Sequence, residues 1–261
     1  MLLTVSVVAR DGAVKASAAD EDSVLLVYPR AYEEGDAVCL TSDHPGYVSA
    51  KLEDSMEAAF GYLSRPFGLQ VPFGEKSACY SPKSFTGETH LLQARTAFPH
   101  EIAQRRNCCC NPLDSHGNDG LYPHAFANVE TRGESVFAAR NAIDGCYANA
   151  GHGIWPYQSW GISRRDDAEI TVDFGCPVTL DCLGITIRAD FPHDNWWKQV
   201  AFIFSDGTET LLELTKTNQP QRFSIPPRTV RWLKLSQLRK DETDPSPFPA
   251  LTQLEAWGCC Q

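Results

Sequence analysis

Basic charge is scarce in this chain. Its 23 Lys and Arg are outnumbered by 33 Asp and Glu, which leaves a formal net charge of −10. Nucleic acids and anionic membranes recruit proteins through concentrated basic surface, and the densest basic spots here are only the pairs Arg105-Arg106 and Arg164-Arg165. The charge therefore argues against either class as the main partner. No segment approaches the roughly 18 consecutive apolar residues that a spanning helix needs. The N-terminal "MLLTVSVVAR" has neither a basic leader nor a small-residue cleavage pattern, so it reads as a first strand rather than an export signal. That reading predicts a soluble cytoplasmic protein, or an extracellular one if an export segment has been trimmed away.

Diagnostic catalytic spacings are missing too. There is no HExxH, no G-x-S-x-G and no phosphate-binding glycine loop. The ten cysteines contain no CxxC pair, which argues against a zinc ribbon or a thioredoxin-type site. The tandem cysteines at 108–110 and 259–260 are poor disulfide partners for their own neighbours. Without an export signal, mostly reduced thiols are expected.

Helical periodicity is also thin. "EDSMEAAFGYL" (53–63) and "HEIAQRRN" (100–107) can each form a short helix. Elsewhere, short β-branched and aromatic runs alternate with Gly, Pro, Asp and Asn clusters, the pattern of an all-β protein. Residues 1–105 carry strand runs at sandwich-like spacing and no tryptophan, which predicts a small β-sandwich for support or docking. Residues 106–134 are rich in Asn, Asp, Gly, Pro and His and are read as an ordered irregular connector. From 135 to 261 the alternation is clean. Ile170, Val172 and Phe174 share one strand face, as do Leu183, Ile185 and Ile187, and Val200, Phe202 and Phe204. Period-two alternation of this kind predicts an antiparallel sandwich or jelly roll with one packed face and one wetted face.

The order of features over about 135–258 carries a resemblance. "FAARNAIDG", a tryptophan-containing "WPYQSWG", the strands "AEITVDFGCPVTLDCLGITIR" and a closing "LTQLEAWG" together resemble a discoidin domain. That group has a galactose-binding-like jelly-roll fold and includes the coagulation-factor type C domains and the family 32 carbohydrate-binding modules. The resemblance implies a second β-sandwich with ligand loops at one end, and a non-catalytic carbohydrate-binding role. It also implies a structural calcium, held by Asp144 and Glu255 with loop carbonyls near Asn141, Cys146 and Asn149. Relatives that bind sugars use a histidine with an arginine around an Arg-x-Asp pattern, which Arg188-Ala189-Asp190 spells, with His152 as companion. The His-to-Arg spacing departs from the fucose-binding lectins, and the adjacent cysteine pair expected after the aspartate is missing, so fucose specificity is not implied.

All six tryptophans lie after residue 150. Indole suits the apolar face of a pyranose when polar groups stand nearby to bind its hydroxyls. Two stretches hold that mixture. One supplies His152, Trp155, Tyr157, Trp160 and Arg164, and the other supplies Arg188, Asp190, His193, Asp194, Trp196 and Trp197. Together they form the expected sugar site. In an extended backbone Trp196 and Trp197 point to opposite sides, so at least one is expected to pack inward. Two other readings stay open. One is an interaction module or homodimer anchored by tryptophans. The other is a metal- or His/Asp-dependent carbohydrate-active enzyme, built from His116, His124, His152 and His193 around Asp114, Asp119, Asp190 and Asp194.

Overall fold

Alternation decides the first half. In the computed structural model, which describes all 261 residues, eight strands form between Leu2 and Thr96. They are β1 (Leu2–Val8), β2 (Val14–Glu21), β3 (Ser23–Tyr28), β4 (Ala37–Ser42), β5 (Gly46–Lys51), β6 (Ala59–Leu63), β7 (Phe67–Gln70) and β8 (His90–Thr96). Leu3, Val5 and Val7 of β1 face inward with Val38 and Leu40 of β4, while the intervening side chains reach solvent. One sheet runs β2-β1-β4-β7, and the other holds β6-β5-β8-β3. Their inner faces share one apolar core, as a sandwich requires.

Two local expectations fail here. Residues 53–63 form no helix, and 59–63 are β6, because Ala59, Gly61 and Leu63 alternate inward while Phe60 stacks on Tyr47 and Tyr62 meets it edge-on. The second helix is only α1 (Pro99–Ala103). It stops because Arg106 and Asn107 are captured as β9 (Arg106–Asn107) by the last strand of the chain. Strand β2 has no alternating apolar face in its sequence, VKASAADE. It is mostly exposed, and it is held by its backbone ladder to β1.

The connector is stitched into both halves. It supplies β9, then β10 (Leu121–Tyr122) at the edge of the β6 sheet, then β11 (His124–Ala127). Cys108 and Cys109 join the C-terminal core, whereas Leu113 and Leu121 join the N-terminal one. Its polar composition has a structural use: irregular backbone that is buried must still find partners. The Asn111 amide donates to the carbonyls of Leu121 (3.2 Å) and Pro123 (2.8 Å). Asp114 accepts from Ala125 N (2.9 Å), from Asn118 (3.0 Å) and from His124 Nδ1 (2.8 Å). The buried Arg140 guanidinium donates to the Asp114 and Pro112 carbonyls at 2.7 and 3.0 Å and lies over Tyr80.

The C-terminal half contains β12 (Trp160–Gly161), β13 (Ile170–Ile187), β14 (Trp197–Phe204), β15 (Glu209–Glu213), β16 (Gln221–Lys240) and β17 (Ala250–Cys260). The strand faces read at Ile170–Phe174 and Leu183–Ile187 belong to one strand, β13, and β16 likewise runs unbroken from Gln221 to Lys240. Register breaks after Asp173 and Leu180 let the β13/β16 pair bend. The first part of β13 therefore lies between β11 and β16, and the second between β17 and β16. Every inward residue expected on these strands is buried in one core. In the stretch 183–187 both faces are covered, so the wetted face expected there does not exist. The chain is all-β, built from antiparallel sheets. No helix is long and apolar enough to cross a membrane.

Candidate functional site

At one end of the C-terminal sandwich, three loops meet. They are the 152–164 segment around β12, the segment after β13, and the approach to β17, with the 131–137 turns closing one side. Arg188 leaves β13 and is fixed at once: its backbone N–H bonds to Ala250 O (3.0 Å), its Nε reaches Asp194 Oδ1 (2.7 Å) and its Nη2 reaches Phe248 O (3.0 Å). Asp194 is fully buried, and its second oxygen accepts the Asp190 N–H at 2.8 Å. Asn195 donates to the carbonyls of Asp241, Asp244 and Ser246. The Arg188–Asp194 pair is therefore an internal brace that gives the 188–196 loop one shape.

That shape presents a stacked run of rings. The imidazoles of His152 and His193 lie parallel, 2° apart in plane with centroids 4.4 Å apart. His193 stacks in turn on Phe248 at 5.5 Å, and the Arg164 guanidinium carbon sits 4.9 Å from the same phenyl ring. The run borders a cavity of about 330 Å³ whose other polar walls include Thr131, Arg132 and Ser163. Arg132 is paired to Glu134, and Arg188 to Asp194. Arg164 has no ion pair and no side-chain hydrogen bond. It and Ser163 both adopt left-handed backbone, with φ of 62° and 51°. Side chains adopt this region at a cost that the surrounding structure must hold in place.

Some expected residues meet here and others do not. His152, Arg164, Arg188 and His193 line the cavity, and Asp190 joins them through a 2.7 Å bond to His152 Nδ1. Asp194 lies beneath as the brace. Trp160 is buried, with its indole N–H on Val129 O (2.8 Å), and Trp197 is buried in the core. Trp196 is partly buried and donates to Asp241 (3.1 Å). Trp155 and Tyr157 are exposed but stand outside the cavity, and the Trp155 backbone is pinned to Ala78 O at 2.9 Å. No tryptophan therefore lines the cavity, and the aromatic that does so after residue 240 is Phe248. Its sequence signal is weak, a lone phenylalanine in "PSPFPA" with no alternation around it. The four histidines considered for catalysis divide. His124 pairs with Asp114 inside the connector, His116 is exposed near Glu130, and only His152 and His193 meet.

A scan against protein-family models finds no match, and a search of curated proteins finds none. Solved structures do resemble the chain. One is chitosan-binding module 1 of a chitosanase/glucanase from Paenibacillus sp. IK-5, at 17% identity, covering 59% of this chain and 99% of that one, with a TM-score of 0.39. Another is the family 32 carbohydrate-binding module of C. perfringens NanJ in complex with galactose, at 18% identity, covering 51% and 91%, with a TM-score of 0.37. A third is a Streptococcus pneumoniae fucose-binding module, at 14% identity, covering 58% and 96%, with a TM-score of 0.40. All three are carbohydrate-binding modules.

The residues expected to hold calcium surround themselves with donors. Asp144 is buried, and its oxygens accept from Gln158 (2.7 Å), Gln253 (2.8 Å) and Cys146 N (2.8 Å). Burial pushes its carboxyl above the usual range, against the pull of Arg140 and these bonds. Glu255 accepts from Arg222 (2.9 Å), from Trp257 Nε1 (3.0 Å) and from the Tyr147 hydroxyl. Burial works to raise its carboxyl, and these partners outweigh it and hold it below the usual range. The Asn141 carbonyl already accepts from Gln253 and the Asn149 carbonyl from Ala189 N. Calcium needs six to eight oxygens turned toward it. These oxygens face N–H groups and a guanidinium, so the set does not fit the ion.

Proposed function

We propose that the chain binds a carbohydrate without catalysis, in the cavity between the 152–164 loop, the 188–193 loop and Phe248. The observation that carries this reading is Arg164. Its guanidinium is unpaired, stacked on Phe248, and set on a left-handed turn at the cavity wall. An arginine held without a counter-charge in a concave site is a ready donor for ring hydroxyls or a carboxylate. His152, His193, Ser163 and Thr131 add polar groups around it. A volume of about 330 Å³ falls at the small end of ligand pockets and suits a saccharide unit better than a large cofactor. Phe248 is already engaged by His193 and Arg164, so recognition rests on hydrogen bonds more than on ring stacking. The discoidin-like order of the sequence supports the same class of ligand.

The test is a glycan array followed by calorimetry on the best hit. Arg164→Ala is expected to weaken binding by about tenfold or more, the loss of a charge-assisted hydrogen bond of about 1.5–3 kcal/mol. Trp155→Ala, outside the cavity, is expected to leave it unchanged. An array on which the intact chain binds nothing overturns the reading.

A further inference from the structure

We propose that His152, Asp190 and His193 form a binding site for a divalent transition-metal ion of the zinc type. The ligand atoms of the three side chains lie within 4.8 Å of one another, and they come from two separate loops. Asp190 Oδ2 is 2.7 Å from His152 Nδ1 and 4.0 Å from His193 Nδ1. A zinc ion takes nitrogen at about 2.0–2.1 Å and carboxylate oxygen at about 2.0–2.2 Å, so neighbouring ligands in a tetrahedral shell stand roughly 3.3 Å apart. The first separation must open and the second close by well under an ångström each. The two imidazoles are stacked with parallel planes, so their in-plane lone pairs meet on one ion only when a ring tilts out of the stack.

The chemistry of the donor set selects the metal. Two imidazoles and one carboxylate suit zinc and its neighbours, whereas calcium and magnesium prefer oxygen alone. Without metal, His152 Nδ1 faces Asp190 Oδ2 at 2.7 Å and His193 Nδ1 faces Asp194 Oδ1 at 3.2 Å, contacts in which each Nδ1 carries the proton. Metal binding moves that proton to Nε2 in a neutral ring, so that each Nδ1 offers its lone pair. Asp190 is carried on backbone already tied to Asp194, and Asp194 is neutralised by Arg188. The buried guanidinium therefore does not oppose an incoming cation. At 44%, 32% and 45% exposure the three side chains are open to an ion from solution. Three protein ligands leave a further coordination position, as in zinc sites that accept water or a ligand oxygen. The site stands on its own geometry and does not depend on the carbohydrate reading.

The experiment is calorimetric titration of the full chain with zinc chloride, paired with the absorption spectrum of the cobalt(II)-loaded chain. The ten free thiols are the competing ligands, and cobalt separates them because a thiolate shell adds intense charge-transfer absorption that a nitrogen–oxygen shell lacks. Expected are one zinc per chain, a cobalt spectrum without the thiolate band, and about tenfold or greater weakening in each of His152→Ala, His193→Ala and Asp190→Asn. Metal-free melting curves confirm folding, and His152→Gln, which keeps a donor for Asp190, shows the same loss. The proposal is overturned if the intact chain takes up no zinc. It is equally overturned if zinc binding is unchanged in the variants or if the cobalt spectrum is that of thiolates.

Discussion

His124 illustrates how one pair can serve a whole segment. Its imidazole is nearly buried beside the fully buried Asp114. Burial alone lowers its pKa, but the hydrogen bond and charge of Asp114 outweigh this and hold it above the ordinary 6.5. A raised folded-state pKa means the protonated pair stabilises the fold in full below pH 6.5, and that the contribution fades as pH rises through the folded-state value. The intact chain and His124→Asn should therefore differ in stability by about 1–2 kcal/mol below pH 6.5, and the difference should shrink toward pH 8. Urea midpoints measured across that range check this, and a difference that grows with pH would contradict it. The pair also marks what was legible at this scale. Sequence placed His124 and Asp114 among candidates for chemistry, but no spacing reveals that Asp114 turns inward to hold Ala125 and Asn118. The Arg-x-Asp spelling pointed to Arg188 and Asp190, whereas the arginine pairs with Asp194, four residues beyond Asp190. At the first residue of a strand, period-two reasoning cannot say which way an indole turns, and Trp160 and Trp197, which open β12 and β14, lie in the core.

Elements follow the sequence more closely, because a strand with one buried face must alternate. Each inward residue expected on β13 and β14 is buried, and the misses have local causes. Residues 53–63 contain good helix formers, but backbone pairing with β5 and β10 decides the outcome at 59–63. The continuity of β13 and of β16 was hidden because Gly175 and Pro226-Pro227 read as breaks. Instead β13 bends at Gly175, whose φ of 69° suits glycine. Tight approach is the other demand on glycine. Strand β17 runs so close to β13 that a Cβ at Gly258 would fall on the Thr179 carbonyl oxygen and the Leu180 Cα, both backbone atoms that cannot step aside. Gly258→Ala should cost about 3 kcal/mol or more by forcing these strands apart. In contrast, a Cβ at Gly68 in β7 meets only Cys39 Sγ at an ordinary 3.7 Å. Gly68→Ala should stay within about 1 kcal/mol of the parent, with some gain from the stiffer unfolded chain. Thermal or urea unfolding of the two variants side by side decides it; equal losses would mean that strand spacing is not what Gly258 protects.

For the whole molecule, the question is whether the two sandwiches unfold together. The composition of 106–134 was legible as something other than a plain linker. How it divides was not, since nothing in "NCCCNPLDSHGNDGLY" says which residues go to which core. The structure sends Cys108 and Cys109 one way and Leu113 and Leu121 the other, with β9 and β11 on C-terminal strands and β10 on an N-terminal one. Arg140 then bolts the connector carbonyls to Tyr80 and Cys79 of the first half. Neither core can open without pulling out a segment that also closes the other. Unfolding in urea should accordingly be a single transition, a condition under which different probes must coincide. The chain supplies its own probes, since every tryptophan lies after residue 150 while five of the eight tyrosines lie before residue 81. Tryptophan fluorescence and tyrosine absorbance should give superimposable curves. Leu113→Ala is the sharper test, because it removes a fully buried side chain from the N-terminal core alone, a loss of about 3 kcal/mol. If the connector couples the halves, the tryptophan curve must shift by the same amount as the tyrosine curve, although no tryptophan belongs to that core. If only the tyrosine signal moves, the sandwiches are independent domains and the 106–134 segment joins them without coupling them.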